Sequence, residues 1–259
     1  MGVEFDCCTR SQAVDFIADE LSSRRGGWIL TPNLHHMRTV ARDDQARAYA
    51  DSADLVVPDG MPLVWASRLQ RTPFPERVAG SDMIWDLSAS MARSGRSVFV
   101  LGGAPGVAPR AAEVLQLRHP ELRIAGVHSP PWGFTASGDE VAQIGQALAE
   151  ADPDLVLVGL PFPLHARLIL SLVRTFPELW FAGLGISLSF VTGDVRRAPP
   201  WMQKIGLEWI HRLAQDPRRL ARRYLLEGLP FLPRLAASAL RRRGRAGPVR
   251  HERIRSTSR

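Results

Sequence analysis

Short apolar runs separated by longer amphipathic segments recur through the first 184 residues of the chain. Residues 55–57, 98–101 and 155–158 consist only of Leu, Val and Phe. A run without polar alternation is typical of a strand covered on both faces, and strands separated by helices pair in parallel. The sequence therefore predicts an α/β fold with a doubly wound, mostly parallel sheet.

Hydrophobic periodicity and turn residues place the elements of this fold. Thr9 is a candidate N-cap for the first helix, and Pro62 suits the start of a later one. The predicted strands are residues 28–30, 55–57, 97–101, 123–127, 155–159 and 179–184, and the predicted helices are residues 9–24, 34–50, 62–69, 81–95, 107–118, 139–151 and 164–176.

The pattern changes near residue 199, which predicts three parts. Residues 1–198 form the α/β domain, residues 199–240 a basic amphipathic helical appendage, and residues 241–259 an Arg-rich tail that we expect to be disordered. The net charge is −4 over residues 1–211 and +11 over residues 212–259. Such a basic segment fits a helix lying on an anionic membrane, and it fits equally a packed helix with a solvated basic face.

Composition excludes several classes of protein. The apolar runs are far shorter than the roughly 20 residues that cross a bilayer. The N-terminus carries acidic residues and lacks the apolar segment of a signal peptide. Cys7 and Cys8 are adjacent and match no disulfide or metal spacing. These features predict a cytoplasmic protein without a cofactor motif.

A strand-to-helix turn at Pro58-Asp59-Gly60 is the leading candidate for chemistry. Ligands of open α/β sheets bind at the carboxyl ends of strands, where this turn lies, and a carboxylate there can act as a general base. Thr31 and Asn33 follow another strand in the same way, so we expect them at the same crevice. In isolation, the residue types and positions of Asp59 and Asn33 favour turn formers or helix caps over site residues.

A glycine-rich loop and an Asp-Pro-Asp segment are two further candidates for ligand binding. The loop Gly102-Gly103-Ala104-Pro105-Gly106 lies between a strand and a helix, where backbone N–H groups can hold a phosphate. It is neither the dinucleotide-binding glycine pattern nor a P-loop. Asp152-Pro153-Asp154 precedes a strand and so belongs to the opposite rim, where we expect a structural connection. The histidines have no metal-ligand spacing.

Together these motifs resemble the WecG/TagA/CpsF family of bacterial glycosyltransferases, glycosyltransferase family 26. Their order and spacing agree with the family from about residue 28 to 232. The matching segments are residues 31–33, 53–60, 64–66, 77–82, 101–106, 153–160, 195–199 and 206–225.

The resemblance implies a Rossmann-like α/β domain with a C-terminal helical appendage that closes the active site. It also implies a metal-independent, inverting transfer of an N-acetylmannosamine-type or related hexose from a UDP-sugar. The acceptor would be a polyprenyl-diphosphate-linked sugar in cell-wall, capsule or exopolysaccharide synthesis. The enzyme would be peripheral on the inner face of the membrane, and homo-oligomer formation is left open.

The resemblance also implies roles for individual residues. Asp59 matches the catalytic base of the family. The family's substrate-contacting positions correspond to Thr31, Asn33 and Arg77, with the loop residues Gly102, Gly103, Pro105 and Gly106 as further binding candidates. The arginines that the appendage brings over the site correspond to Arg212, Arg219 and Arg222.

The sequence departs from the family pattern at two loops. Residues 163–168 lack the family's Lys-Gln-Glu run and the Trp beyond it, and His165 occupies the position of the active-site Gln, where it can still hydrogen-bond a sugar. Ser189 stands where the family has Asp. These departures leave a second hypothesis open, namely a non-catalytic member that binds a nucleotide sugar or a partner transferase. Nucleic-acid binding is disfavoured because residues 1–211 carry no basic or aromatic face.

Overall fold

The computed structural model describes residues 3–243, and their strands and helices follow the predicted alternation. The strands are β1 (Gly27–Leu30), β2 (Leu55–Val56), β3 (Ser97–Gly102), β4 (Arg123–His128), β5 (Leu155–Gly159) and β6 (Trp180–Gly183). The helices of the α/β domain are α1 (Arg10–Ser22), α2 (Leu34–Val40), α3 (Asp44–Asp51), α4 (Met61–Gln70), α5 (Gly80–Arg93), α6 (Val107–Arg118), α7 (Asp139–Ala151), α8 (Leu164–Leu172) and α9 (Ser187–Val191).

The appendage continues the chain as a series of short helices. They are α10 (Pro200–Lys204), α11 (Glu208–Gln215), α12 (Pro217–Ala221), a π-helical segment (Arg222–Gly228), a 3₁₀ turn (Leu229–Phe231) and α13 (Leu232–Arg241). Within the described residues, no helix is both long enough and apolar enough to cross a membrane. The predicted disordered tail lies outside the described residues from residue 244 onward.

The six strands form one sheet in the order β2-β1-β6-β5-β3-β4, and every pairing is parallel. The predicted doubly wound sheet is therefore confirmed, and it is parallel throughout rather than mostly so. The register pairs Ile29 with Leu55 and Leu30 with Val56. Continuing this register past the strand ends brings Asn33 opposite Asp59 at the carboxyl rim.

Apolar helices cover both faces of the sheet. One core packs α1, α5, α6 and α9 against the sheet, and its centre includes Ile17, Leu87 and Val100. The other core packs α3, α7 and α8 against the opposite face and includes Trp28 and Phe181. Because both faces are buried, the strands carry few polar side chains, as the continuous apolar runs predicted.

Two local differences separate the structure from the predicted elements. The predicted helix 34–50 is broken, because the Asp43 side chain accepts hydrogen bonds from the N–H groups of Gln45 and Ala46 and so starts a second helix. The short helix α9 was not predicted. The predicted Thr9 cap is confirmed, since Thr9 and Gln12 form a reciprocal capping box at α1.

The appendage returns across the α/β domain and packs beside the carboxyl rim. Phe231 and Leu235 are buried in a small third core with Met37 of α2 and Leu63 of α4. The helices α2 and α4 begin directly after the two turns that contain Asn33 and Asp59. The packing of the appendage therefore places its side chains next to the predicted site.

Candidate active site

Asp59 lies in the turn between β2 and α4, at the edge of the rim. Its backbone N–H donates to the Pro32 carbonyl at 2.9 Å, which ties this turn to the one that follows β1. Gly60 next to it has φ 144°, a conformation that side chains rarely adopt, and it lies against the Asn33 Cβ. The chain thus turns sharply at Gly60, directly after Asp59.

The Asp59 carboxylate is partly buried and is not held by any donor among residues 3–243. Burial raises the pKa of Asp59 from 3.8 to about 7. Nearby Arg77 and Arg197 oppose this rise in pKa, whereas Glu208 and Asp82 add to it. A carboxylate with a pKa near 7 and free lone pairs has the properties required of a general base.

Thr31 and Asn33 lie beside Asp59, but their oxygens are already engaged. The buried Thr31 hydroxyl donates to the Gly183 carbonyl at 3.3 Å, which links the ends of β1 and β6. Asn33 Oδ1 accepts from the N–H groups of His35 and His36 and caps α2. The cap interpretation of Asn33 is therefore confirmed, and its amide group, which has no acceptor among residues 3–243, lies next to the turn that contains Asp59.

Arg77 is brought to Asp59 by the segment that precedes α5. The Val78 N–H donates to the Pro58 carbonyl at 2.8 Å, so Arg77 lies next to the turn that contains Asp59. The Arg77 guanidinium donates to Glu208 at 2.9 Å and approaches Asp82 at 3.6 Å. Its side chain is only 15% exposed, so this cation lies within the crevice wall rather than in solvent.

Four arginines of the appendage bear on the predicted site: an outward pair that is largely exposed and an inward pair with buried Nε atoms. Arg219 is 64% exposed and bonds Asp216, and Arg222 is 81% exposed and pairs with Glu227. The resemblance implies that both lie over the site, whereas in the structure both side chains are largely exposed and pair with carboxylates of the appendage.

The inward pair is Arg212 and Arg223. The Nε atoms of both are buried without a hydrogen-bond acceptor in the described part of the chain. The Arg212 guanidinium lies 5.6 Å from the centroid of the Phe190 ring. Burial, with Arg212 and Arg219 nearby, lowers the pKa of the Arg223 guanidinium. The sequence did not identify Arg223 as a site residue. The only local sign that its side chain is partly buried is its apolar neighbours Tyr224 and Leu225.

The glycine loop lies on the same rim but well away from Asp59. Gly102, Gly103 and Gly106 all have positive φ, and Gly102 packs so closely on Gly159 that a Cβ would lie 3.0 Å from its carbonyl. Pro105 is exposed. β3, which leads into this loop, is separated from β2, which leads into Asp59, by β1, β6 and β5, which is roughly 19 Å across the sheet. The loop and Asp59 can therefore contact opposite ends of one extended ligand.

His165 does not reach the rim. It is 1% exposed, and its Nδ1 lies 3.0 Å from the Leu160 carbonyl, to which it donates. The ring packs in a buried aromatic cluster with Trp28, His36 and Phe162. Burial lowers the pKa of His165 to about 4, so the ring is neutral at pH 7. The structure thus buries this predicted sugar ligand against Gly183, whose carbonyl accepts from Thr31.

The acidic pair at the other rim is structural. Asp154 accepts from the Ser97 N–H at 2.8 Å and pairs with Arg96, which confirms its assignment to a helix–strand connection. Across residues 3–243, no group of three His, Cys, Asp or Glu side chains is arranged to hold a metal ion.

The fold is an open α/β sheet of the class that binds ligands at its carboxyl rim, where the Asp59 carboxylate lies near the largely buried Arg77. Comparison with known proteins agrees: the model of the glycosyl transferase WecG/TagA/CpsF family matches residues 1–245. The chain therefore belongs to this family of glycosyltransferases.

The most similar curated proteins found include three that share one name, N-acetylglucosaminyldiphosphoundecaprenol N-acetyl-β-D-mannosaminyltransferase. The Bacillus spizizenii protein is 30% identical over 81% of this chain and 84% of its own length. The Bacillus subtilis protein is 29% identical over 78% and 77%. The Staphylococcus aureus protein is 27% identical over 93% and 92%.

Proposed function

We propose that this protein transfers an N-acetylmannosamine-type or related hexose from a UDP-sugar to a polyprenyl-diphosphate-linked N-acetylglucosamine. The names of its relatives supply the sugar and the acceptor. The observation that carries the proposal is the Asp59 carboxylate, which has no donor within residues 3–243, a pKa near 7 and a position between Asn33 and Arg77. The glycan products would enter cell-wall, capsule or exopolysaccharide synthesis.

In the proposed reaction, Asp59 activates the acceptor for a single displacement. Asp59 takes the proton of an acceptor hydroxyl while that oxygen forms a bond to the anomeric carbon of the donor. The bond from the anomeric carbon to the β-phosphate oxygen breaks at the same time, and UDP leaves with that electron pair. Attack opposite the leaving group inverts the anomeric centre. No cofactor takes part.

The leaving diphosphate gains negative charge, which the buried cations of the rim are placed to stabilise. Arg77 is a largely buried cation of the α/β domain, and Arg212 and Arg223 of the appendage each have a buried Nε without an acceptor among residues 3–243. A planar guanidinium group can bind two phosphate oxygens in a bidentate manner. Their preorganised charge lowers the energy of the departing UDP without a metal ion.

We propose further that the appendage rests on an anionic membrane, where the lipid-linked acceptor is found. The exposed Arg218, Arg219 and Arg222 supply positive charge, and Trp201 and Leu226 supply exposed apolar surface. This arrangement would make the enzyme peripheral on the inner face of the membrane. Nucleic acid is not a proposed partner.

The reaction is tested by UDP release from the full-length protein. The donors are UDP-N-acetylmannosamine, its uronic acid form, UDP-N-acetylglucosamine and UDP-glucose, and the acceptor is a short-chain polyprenyl-diphosphate N-acetylglucosamine in detergent. We expect acceptor-dependent release that falls by at least about a hundredfold in Asp59→Asn and is unchanged in the exposed control Asp139→Asn. Undiminished release by Asp59→Asn would contradict the role of Asp59.

A non-catalytic role is the alternative, and the position of His165 is the observation that favours it. The family's glutamine is replaced, and the replacing side chain is 1% exposed below the rim. Folded protein that binds UDP but releases none from any donor would establish this alternative. Release with one donor would instead make residues 164–166 a determinant of donor choice.

A further inference from the structure

Arg77 connects the α/β domain to the appendage through two side chains. Its Nη1 donates to Glu208 Oε2 at 2.9 Å, and its Nη2 donates to Gln203 Oε1 at 3.1 Å. Glu208 begins α11 and Gln203 lies in α10, so both acceptors belong to the appendage. Glu208 is 18% exposed, which makes this ion pair largely shielded from solvent.

A second arginine reinforces the same junction. Arg197 pairs with Asp82 and donates to Gln203 Oε1 at 2.9 Å, so Gln203 accepts from two guanidinium groups. Asp82 also faces Arg77 at 3.6 Å and Arg10 at 3.7 Å. Two appendage acceptors and one carboxylate of α5 therefore fix the orientation of Arg77.

The backbone between α10 and α11 is seated directly on the helix that follows Asp59. Gly206 has φ 74°, and a Cβ at this position would lie 2.8 Å from the Trp65 ring and 2.9 Å from Met61 Cβ. Only a glycine allows this approach without displacing α4. This packing places Glu208, two residues later, within hydrogen-bond distance of Arg77.

From these contacts we infer that Glu208 is a positioning residue, which holds Arg77 beside Asp59 and makes base catalysis depend on the docked appendage. The inference rests on the proposed transfer reaction and adds a role that the motif positions did not assign. An undocked appendage would release Arg77 and remove one negative charge from the surroundings of Asp59. The enzyme would then lose both the orientation of the cation and the ionisation behaviour of its base.

The charges that face Asp59 determine how its titration should respond. They are Arg77 and Arg197, which favour the carboxylate, and Glu208 and Asp82, which disfavour it. Removing the charge of Glu208 therefore shifts the titration of Asp59 to lower pH. A general base acts in its ionised form, so the acid limb of the kcat/KM profile moves to lower pH as well.

The test compares Glu208→Gln with Glu20→Gln in the full-length protein. Glu20 is a matched control, because it pairs with Arg25 at 2.6 Å and is 13% exposed but lies on α1. UDP release is measured from pH 5.5 to 9 with donor and acceptor. For Glu208→Gln we expect the acid limb to move down by about half a pH unit or more and kcat to fall about tenfold. Glu20→Gln should keep the wild-type limb and kcat.

A second variant separates charge from position. Glu208→Asp keeps the charge but shortens the reach to Arg77, so we expect a lowered kcat with the wild-type acid limb. It also serves if Glu208→Gln does not fold. In folded Glu208→Gln, an unchanged acid limb with a kcat within twofold of wild type would overturn the inference. If that variant does not fold, a kcat within twofold of wild type in Glu208→Asp would overturn it. If Asp59→Asn still releases UDP, the proposed reaction itself fails, which is a different result from the failure of Glu208.

Discussion

The proposed role of Asp59 as a general base requires a negatively charged carboxylate, but its burial disfavours that charge. Burial raises its pKa to about 7, and the two facing arginines moderate the rise. A fraction of the carboxylate is therefore ionised at neutral pH and is basic enough to take a proton from a hydroxyl. The same burial has a cost in folding free energy, because an ionised carboxylate is better solvated in the unfolded chain.

This cost gives a prediction for Asp59→Asn. In the unfolded chain Asp59 ionises near pH 3.8, and in the folded protein near pH 7. A raised folded pKa means that the wild type loses stability as pH rises through this window, whereas the Asn variant does not. We expect the Tm of Asp59→Asn to exceed that of wild type by more at pH 7.5 than at pH 4.5 in thermal melts. A Tm difference that is the same at both pH values, or that matches Asp139→Asn, would contradict the raised pKa.

Adjacent arginines in the π-helical segment give a second prediction. Arg222 is 81% exposed, and Arg223 has a buried, unbonded Nε. If the inward side chain binds the diphosphate, Arg223→Gln should weaken UDP binding about tenfold or more, and Arg222→Gln should weaken it by less. Isothermal titration with UDP measures both, with the exposed Arg218→Gln as the control. A larger loss in Arg222→Gln would restore the assignment made from the motif.

At the scale of elements, the strands were predictable and the arginine face was not. Continuous apolar runs marked β3 and β5 because a strand covered on both faces has no polar alternation. Arg222–Gly228 forms a π-helix, whose wider turn shifts the side-chain directions away from the 3.6-residue period of an α-helix. Helical periodicity therefore could not reveal that Arg223, rather than Arg222, turns inward.

The burial of His165 could not be predicted from the sequence either. A motif alignment fixes the place of a residue in the chain, but not its direction relative to the sheet. Here the first turn of α8 directs His165 beneath the rim, against Gly183, where an added Cβ would lie 2.8 Å from the imidazole. The turn that contains Asp59 was predictable because strand ends and glycine turns are local signals, whereas the burial of His165 depends on tertiary packing.

The packing of α2 against α8 gives a prediction about acid stability. His165 has its pKa lowered to about 4 by burial, and burial with His165 and Arg223 nearby lowers that of His36 well below 6.5. The unfolded chain takes up these protons near pH 6.5, so stability is full above that pH and falls as pH drops toward 4. From pH 7.5 to 5, we expect His165 alone to remove about 2 kcal/mol from the free energy of unfolding.

His165→Gln tests this prediction, because its side-chain amide keeps a donor for the Leu160 carbonyl and does not titrate. Urea melts at pH 7.5 and 5 give the free energy of unfolding of both proteins. The variant should lose less stability than wild type on acidification. An equal loss would assign the acid sensitivity to other groups.

Over the whole molecule, charge and exposed apolar surface are concentrated in the appendage. Residues 212–259 carry a net charge of +11, whereas residues 1–211 carry −4. Trp201, Ile205, Leu226 and Leu229 of the appendage are at least two-fifths exposed. The same appendage packs on α2 and α4 beside Asp59. A surface that binds lipid would therefore lie next to the site that acts on a lipid-linked sugar.

The last prediction separates this surface from exposed apolar residues in general. We expect vesicles with anionic lipid to bind the wild type, and the double variant Trp201→Ser/Leu226→Ser to bind at least about tenfold more weakly, because each apolar side chain contributes about 1.5–3 kcal/mol when buried. The matched control is Trp132→Ser/Leu117→Ser, which removes a Trp and a Leu that are 87% and 82% exposed on the α/β domain. Co-sedimentation at low and high salt measures binding, and salt should weaken it because the arginines act through charge. Equal losses in the two double variants would show that the appendage is not the membrane surface, and its arginines would then serve the active site alone.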